Sequence, residues 1–119
     1  MERVKLQDKY QLFIGGQWKD ASNGKTFVTT CPANGEKLAE CAQATREDVD
    51  AAVQAAWKAF AIWKNTTATE RAAILNQIAD TIEANKEHLD RVETMDNGKT
   101  NRETMPADLP LAATQFRYF

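Results

Sequence analysis

The chain has 119 residues, 43% hydrophobic and 27% charged, with 15 Lys and Arg against 17 Asp and Glu. That length allows at most one domain, and a net charge of −2 gives no basic field for nucleic acid or an anionic membrane. Only 22 residues are Leu, Ile, Val or Phe, just under the level at which a packed core is secure, while the low net charge does not imply disorder.

Residues 1–9 are polar and unpatterned and read as a flexible lead-in. The opening MERVKLQDKYQLF lacks the apolar stretch of a secretory signal, and no apolar run approaches bilayer length. A cytoplasmic location, away from membranes, is the expectation. In LFIGGQWKDA, Phe13-Ile14 and Gln17-Trp18 flank Gly15-Gly16, which predicts a short hairpin with a tight turn. KTFVTTCP predicts a strand rich in β-branched residues, closed by Pro32. EKLAECAQA returns after Asn34-Gly35, a two-residue turn signal. The first forty-odd residues therefore read as an antiparallel β ribbon.

A two-residue loop at Asn34-Gly35 would set Cys31 opposite Leu38 and Cys41 opposite Val28. The two thiols then point to opposite faces, and a disulfide is poorly placed. Neither Cys has a His near it in sequence, so both read as structural residues.

The pattern changes at Thr45. Thr45 and Asp48 form a capping box ahead of a helical stripe of Val49, Ala52, Val53, Ala56 and Phe60. Thr67 and Glu70 repeat the device before a second helix with Ile74, Leu75, Ile78, Ala79 and Ile82 on one face. Asn85 breaks and recaps, opening a third helix through Leu89, Val92 and Met95. Asp96-Asn97-Gly98 stops it, with Gly98 suited to the left-handed conformation. A fourth helix is predicted with Asp108 as cap and Pro110 in its first turn. It carries Leu109, Ala112, Ala113, Phe116 and Phe119 on one face and shows no stop signal, so the chain reads as a piece of something longer. These stripes read as core, with Trp57 and Trp63 as packing residues and His88, the sole histidine, at the surface.

No stretch carries chemistry by itself. There is no phosphate-cradling Gly-rich loop opening a helix, no metal-ligand cluster and no nucleophile elbow. Gly15-Gly16 is followed by no helix, so it is a turn and not a phosphate loop.

The order of motifs carries more than any one of them. FIGGQW, TFVTTCPANGE, REDVDAAVQAAWKAF, ERAAILNQIADTIEANKEHL, ETMDNGKTNRET and FRYF together resemble the N-terminal part of the NAD(P)-dependent aldehyde dehydrogenases, from about Tyr10 to Phe119. Cys31 stands where the family commonly has Asn. The resemblance implies an α/β fold: N-terminal antiparallel β-hairpins and then four helices. Together they form an incomplete part, residues 10–119, of a Rossmann-like cofactor-binding domain. The implied intact enzyme is a homo-oligomer that oxidises an aldehyde to an acid. A Cys thiolate attacks the aldehyde, hydride passes to NAD or NADP, and water releases the product. The cofactor loops, catalytic Cys, general base and oxyanion-holding Asn of the family all lie beyond this stretch. No catalytic or cofactor-binding residue is therefore assigned here, and the segment is expected to be inactive scaffold whose partner is the remainder of the enzyme. The alternative is a stand-alone interaction module derived from the same segment. The resemblance also implies a monovalent cation, Na⁺ or K⁺, held by the Asp96 side chain and the main-chain carbonyls of Thr29 and Thr30.

Overall fold

A computed structural model describes residues 4–119. They divide into two compact units. One contains Leu6–Thr30 and Lys37–Asn65; the other contains Cys31–Glu36 and Thr66–Phe119, with Val4 and Lys5. Residues 1–3 of the expected lead-in lie outside the described residues.

In the first unit, β2 (Leu12–Ile14) and β3 (Gln17–Lys19) form the predicted hairpin, with Ile14 opposite Gln17. Gly15 and Gly16 both have positive φ, +61° and +79°, as a tight primed turn demands. The Phe13 and Trp18 rings stack across the strands with centroids 4.8 Å apart.

The other strands depart from an all-antiparallel ribbon. β1 (Lys9–Tyr10) pairs in parallel with β5 (Lys37–Ala42), which pairs antiparallel with β4 (Thr26–Thr30). The sheet order is β1-β5-β4, leaving β4 at an edge. Two residues are too few to show a period, so β1 was not legible as a strand.

The β4–β5 register also differs from the expected one. Cys41 lies opposite Phe27, not Val28, and the ladder shifts between Thr29 and Thr30. The cause is a longer loop. The Cys31 carbonyl accepts from Gly35 N–H at 2.8 Å and from Asn34 N–H at 3.4 Å, while Cys31 N–H donates to the Glu36 carbonyl at 2.9 Å. Pro32 thus begins the turn instead of ending a strand, because its fixed φ suits the second position of a turn. Both cysteines are free.

Helix α1 (Arg46–Trp63) completes the unit, and its capping box forms as expected: Asp48 N–H donates to Thr45 Oγ1 at 3.2 Å and Thr45 N–H to Asp48 Oδ2 at 2.9 Å. Its apolar stripe is not core. Val49, Val53 and Phe60 are about half exposed and Trp57 is 65% exposed, so Trp57 is not the packing residue expected. The buried apolar residues of this unit are Ala21, Ala39 and Ala42. Alanine supplies little apolar area, which is the thin core the composition implied.

The second unit holds α2 (Ala68–Ala84), α3 (Lys86–Asn97) and a helical run from 101 to 118. Thr67 and Glu70 cap α2 reciprocally. Asn85 does break the helix, but it does not recap α3; its amide instead donates back to the Thr81 carbonyl at 2.8 Å. Gly98 ends α3 at φ +81°, donating to the Thr94 carbonyl at 3.1 Å.

The last run starts earlier than expected. It comprises α4 (Asn101–Glu103), a π-helical turn (Thr104–Asp108) and α5 (Leu109–Tyr118). Asp108 is therefore inside the helix with φ −66° and caps nothing; its carboxylate meets Lys99 Nζ at 2.6 Å. Pro106 accounts for the wide turn. It lacks the N–H an α-helix would need there, and its ring would clash with the preceding turn. Leu109 N–H reaches back five residues to the Thr104 carbonyl instead. α2 and α5 pack together, and the buried Ala79 and Ala113 lie one on each. Arg117 on α5 joins them with ion pairs to Asp80 at 2.8 Å and Glu83 at 2.6 Å, and these carboxylates raise the guanidinium's already high pKa.

Candidate functional site

The residues expected to hold a cation fall as follows. Thr29 and Thr30 are the last two residues of β4, on either side of the register shift. Asp96 is exposed in the last turn of α3. Thr29 and Thr30 belong to one unit and Asp96 to the other. An edge-strand carbonyl and a carboxylate are the hard oxygen donors such an ion takes. His88 is exposed, as expected. Among the described residues, no group of three or more His, Cys, Asp and Glu is placed to hold a metal.

The N-termini of α1 and α2 are closed by carboxylates of their own first turns. At α1 the Asp48 carboxylate takes the N-cap N–H of Thr45 at 2.9 Å, and at α2 the Glu70 carboxylate takes that of Thr67 at 2.7 Å. Those amides give each carboxyl a pKa below its ordinary value. A phosphate there would meet a fixed negative charge where a cofactor site offers bare N–H groups.

Two polar centres exceed what the sequence suggested. Asp48 caps its own helix and also accepts Ser22 N–H at 3.0 Å and 3.2 Å through its two oxygens, tying α1 to the turn after β3. The capping spacing showed half of this; Ser22, 26 residues away, carried no signal. The second centre is Asp90, buried in α3 and accepting from Thr104 Oγ1 and Asn101 Nδ2. The 101/104 spacing puts both donors on one face of the final helical run. Reading that helix as starting at Asp108 hid them.

The polar contacts at Asp48 and Asp90 join elements of the fold. An apolar groove lies on α1, where Val53, Ala56, Trp57 and Phe60 line about 330 Å³. Trp57 and Phe60 meet edge to face at 5.8 Å. Among the described residues, no helix is long and apolar enough to cross a membrane.

Comparison with known proteins gives this arrangement its context. The sequence model of the aldehyde dehydrogenase family matches residues 18–119. Acetaldehyde dehydrogenase 2 of Cupriavidus necator is 48% identical over 113 residues, 95% of this chain and 22% of that protein. Aldehyde dehydrogenase B of Escherichia coli K12 is 45% identical over 116 residues, 98% of this chain and 23% of that protein. The NAD⁺ complex of aldehyde dehydrogenase from Bacillus cereus superposes with a TM-score of 0.90 at 35% identity, covering 98% of this chain and 26% of that one. Betaine aldehyde dehydrogenase from Staphylococcus aureus, also with NAD⁺, gives a TM-score of 0.87 at 34% identity, over 91% of this chain and 22% of that one. The chain thus spans a little under a quarter of the length of the curated relatives it matches.

Proposed function

The chain belongs to the aldehyde dehydrogenase family and matches its N-terminal segment, and from that premise we propose that it works as the scaffold part of an NAD(P)-dependent aldehyde dehydrogenase, without turnover of its own. The carrying observation is where its polar chemistry goes. The carboxylates of Asp48, Glu70 and Asp90 are all engaged with neighbouring N–H and O–H groups of the fold itself. Such groups set helix ends and hold elements together; they do not activate a nucleophile. The Rossmann-like domain, the cytoplasmic location and the homo-oligomer implied by the resemblance belong to this proposal. So does the Na⁺ or K⁺ role of Asp96 with Thr29 and Thr30, which rests on the resemblance and on donor chemistry.

The test is NAD(P)H production by the purified chain with a panel of aldehydes. No signal above a buffer blank is the expected result. Turnover that disappears when Cys31 or Cys41 is replaced would overturn the scaffold reading.

The half-exposed apolar face of α1 also suits the second reading, an interaction module built from the same segment. Sequencing the gene past the codon for Phe119 separates the two. An immediate stop favours the module, and a continuation with a Gly-rich loop and a distant Cys favours the enzyme.

A further inference from the structure

Helix α1 buries one residue, Asp48, out of eighteen. Its apolar side chains Val49, Val53, Trp57 and Phe60 recur every three or four positions and so share a face. That face is not the one used inside its own unit. Ala55 lies about half a turn around from Val53 and Trp57, and the space above Gly15 in the β2–β3 turn ends at Ala55 Cβ, 3.9 Å from where a Cβ would stand. The stripe therefore looks away from the hairpin. Within it, the groove between Val53, Ala56, Trp57 and Phe60 has apolar walls throughout, which suits apolar side chains and gives a charged ligand no partner.

We propose that this groove seats the aldehyde dehydrogenase polypeptide that follows this segment in the relatives, an inference that rests on the scaffold reading above. Two observations select that occupant. Each relative named carries the segment as 22–26% of one much longer chain, so the polypeptide available to cover it there is part of the same protein. Among its apolar residues the unit itself buries only Ala21, Ala39 and Ala42, so its large apolar side chains gain their burial from outside. Trp57 is the anchor: it is the largest side chain in the groove, and the Phe60 ring holds one side of it.

The experiment compares two settings. In one, Val53→Asp and Trp57→Glu are made in this chain alone. In the other, the same changes are made in a chimera in which this chain replaces the matching segment of the Cupriavidus necator relative. Gln54→Glu, off the stripe, is the control. The expected result is that helical circular dichroism and melting of the isolated chain barely move, because the face is open there. The chimera should lose several degrees of Tm with either change and none with Gln54→Glu. Equal effects in both settings, or none in the chimera, would overturn the proposal. So would an isolated chain that is a dimer dissociated by Trp57→Glu beside an unaffected chimera, since the occupant would then be a second copy. NADH production by the unaltered chimera is a separate readout: a folded but inactive chimera contradicts the scaffold reading, while the Tm contrast still reports on the groove.

Discussion

The hydroxyl of Thr104 donates to the carboxylate of Asp90, and both residues are closed to solvent, at 0% and 2% exposure. The bond joins α3 to the π-helical turn, and Asn101 adds a second donor to the same carboxylate. Asp90→Ala would leave Thr104 Oγ1 with its long contacts only, to Thr94 Oγ1 at 3.5 Å and the Thr100 carbonyl at 3.3 Å. A buried donor stripped of its acceptor costs on the order of 1–3 kcal/mol. Asp90→Ala is therefore expected to destabilise by about 2 kcal/mol or more in urea denaturation. Asp90→Asn should be milder: it keeps one acceptor oxygen but turns an N–H₂ toward one of the two donors. A midpoint unchanged by Asp90→Ala would show that the cluster contributes nothing to folding.

Gly98 poses a backbone question. Its φ of +81° ends α3, and a Cβ added there would meet Pro32 Cβ and Cγ at 3.5 Å, an ordinary contact distance. Space is thus available, and the cost of Gly98→Ala is conformational, about 1–2 kcal/mol for a left-handed non-glycine residue. Gly98→Asn should cost less, because Asn tolerates that region better. Equal urea midpoints for the Ala variant and the unaltered protein would contradict this account.

Helix starts were legible because a capping box is local: Thr45 with Asp48 and Thr67 with Glu70 are three residues apart, and both boxes form. The Gly15-Gly16 turn and the Gly98 stop were legible for the same reason. What failed was non-local or competed with a neighbour. Asn34-Gly35 reads as a two-residue turn until Pro32, two positions earlier, takes the turn over. Asp108 reads as a cap until Pro106 shows that the helix can pass through it with a wider turn. The α1 stripe read as core because periodicity shows that a face is apolar, not what lies against it. The Ser22–Asp48 and Asp90–Thr104 bonds join residues 26 and 14 positions apart, and no periodicity reports on such pairs.

The cation role is tested at Asp96 in the full-length chimera. A carboxylate that helps hold Na⁺ or K⁺ makes Tm rise with those salts more than with choline chloride at equal ionic strength. Asp96→Ala should remove the difference and leave the cysteine chemistry intact. A variant whose Tm follows K⁺ and Na⁺ as the unaltered chimera's does would assign Asp96 to the turn alone.

Acid should act through Asp48. The main-chain N–H of Thr45, then that of Ser22, hold its carboxyl below the ordinary value of 3.8, against a smaller opposing effect of burial. A carboxyl with a depressed folded pKa binds its proton more readily in the unfolded chain. Its contribution is therefore fully present above the unfolded value and is lost as pH falls through the folded one. The protein should hold its helix signal on going from neutral pH to about 5, then lose stability progressively from about 4 downward. Other depressed carboxyls, Glu70, Glu47, Glu40 and Asp20, share that window, so the unaltered curve alone does not isolate Asp48. Asp48→Asn does. It cannot titrate, so the stability difference between the two proteins should be largest at neutral pH and shrink as the carboxylate of the unaltered protein is protonated. Urea midpoints at several pH values between 7 and 2.5 measure that difference directly. A difference that stays constant across the range would mean that the charge on Asp48 is not what ties α1 to Ser22, and that the amide of Asn serves the two N–H groups equally at any pH.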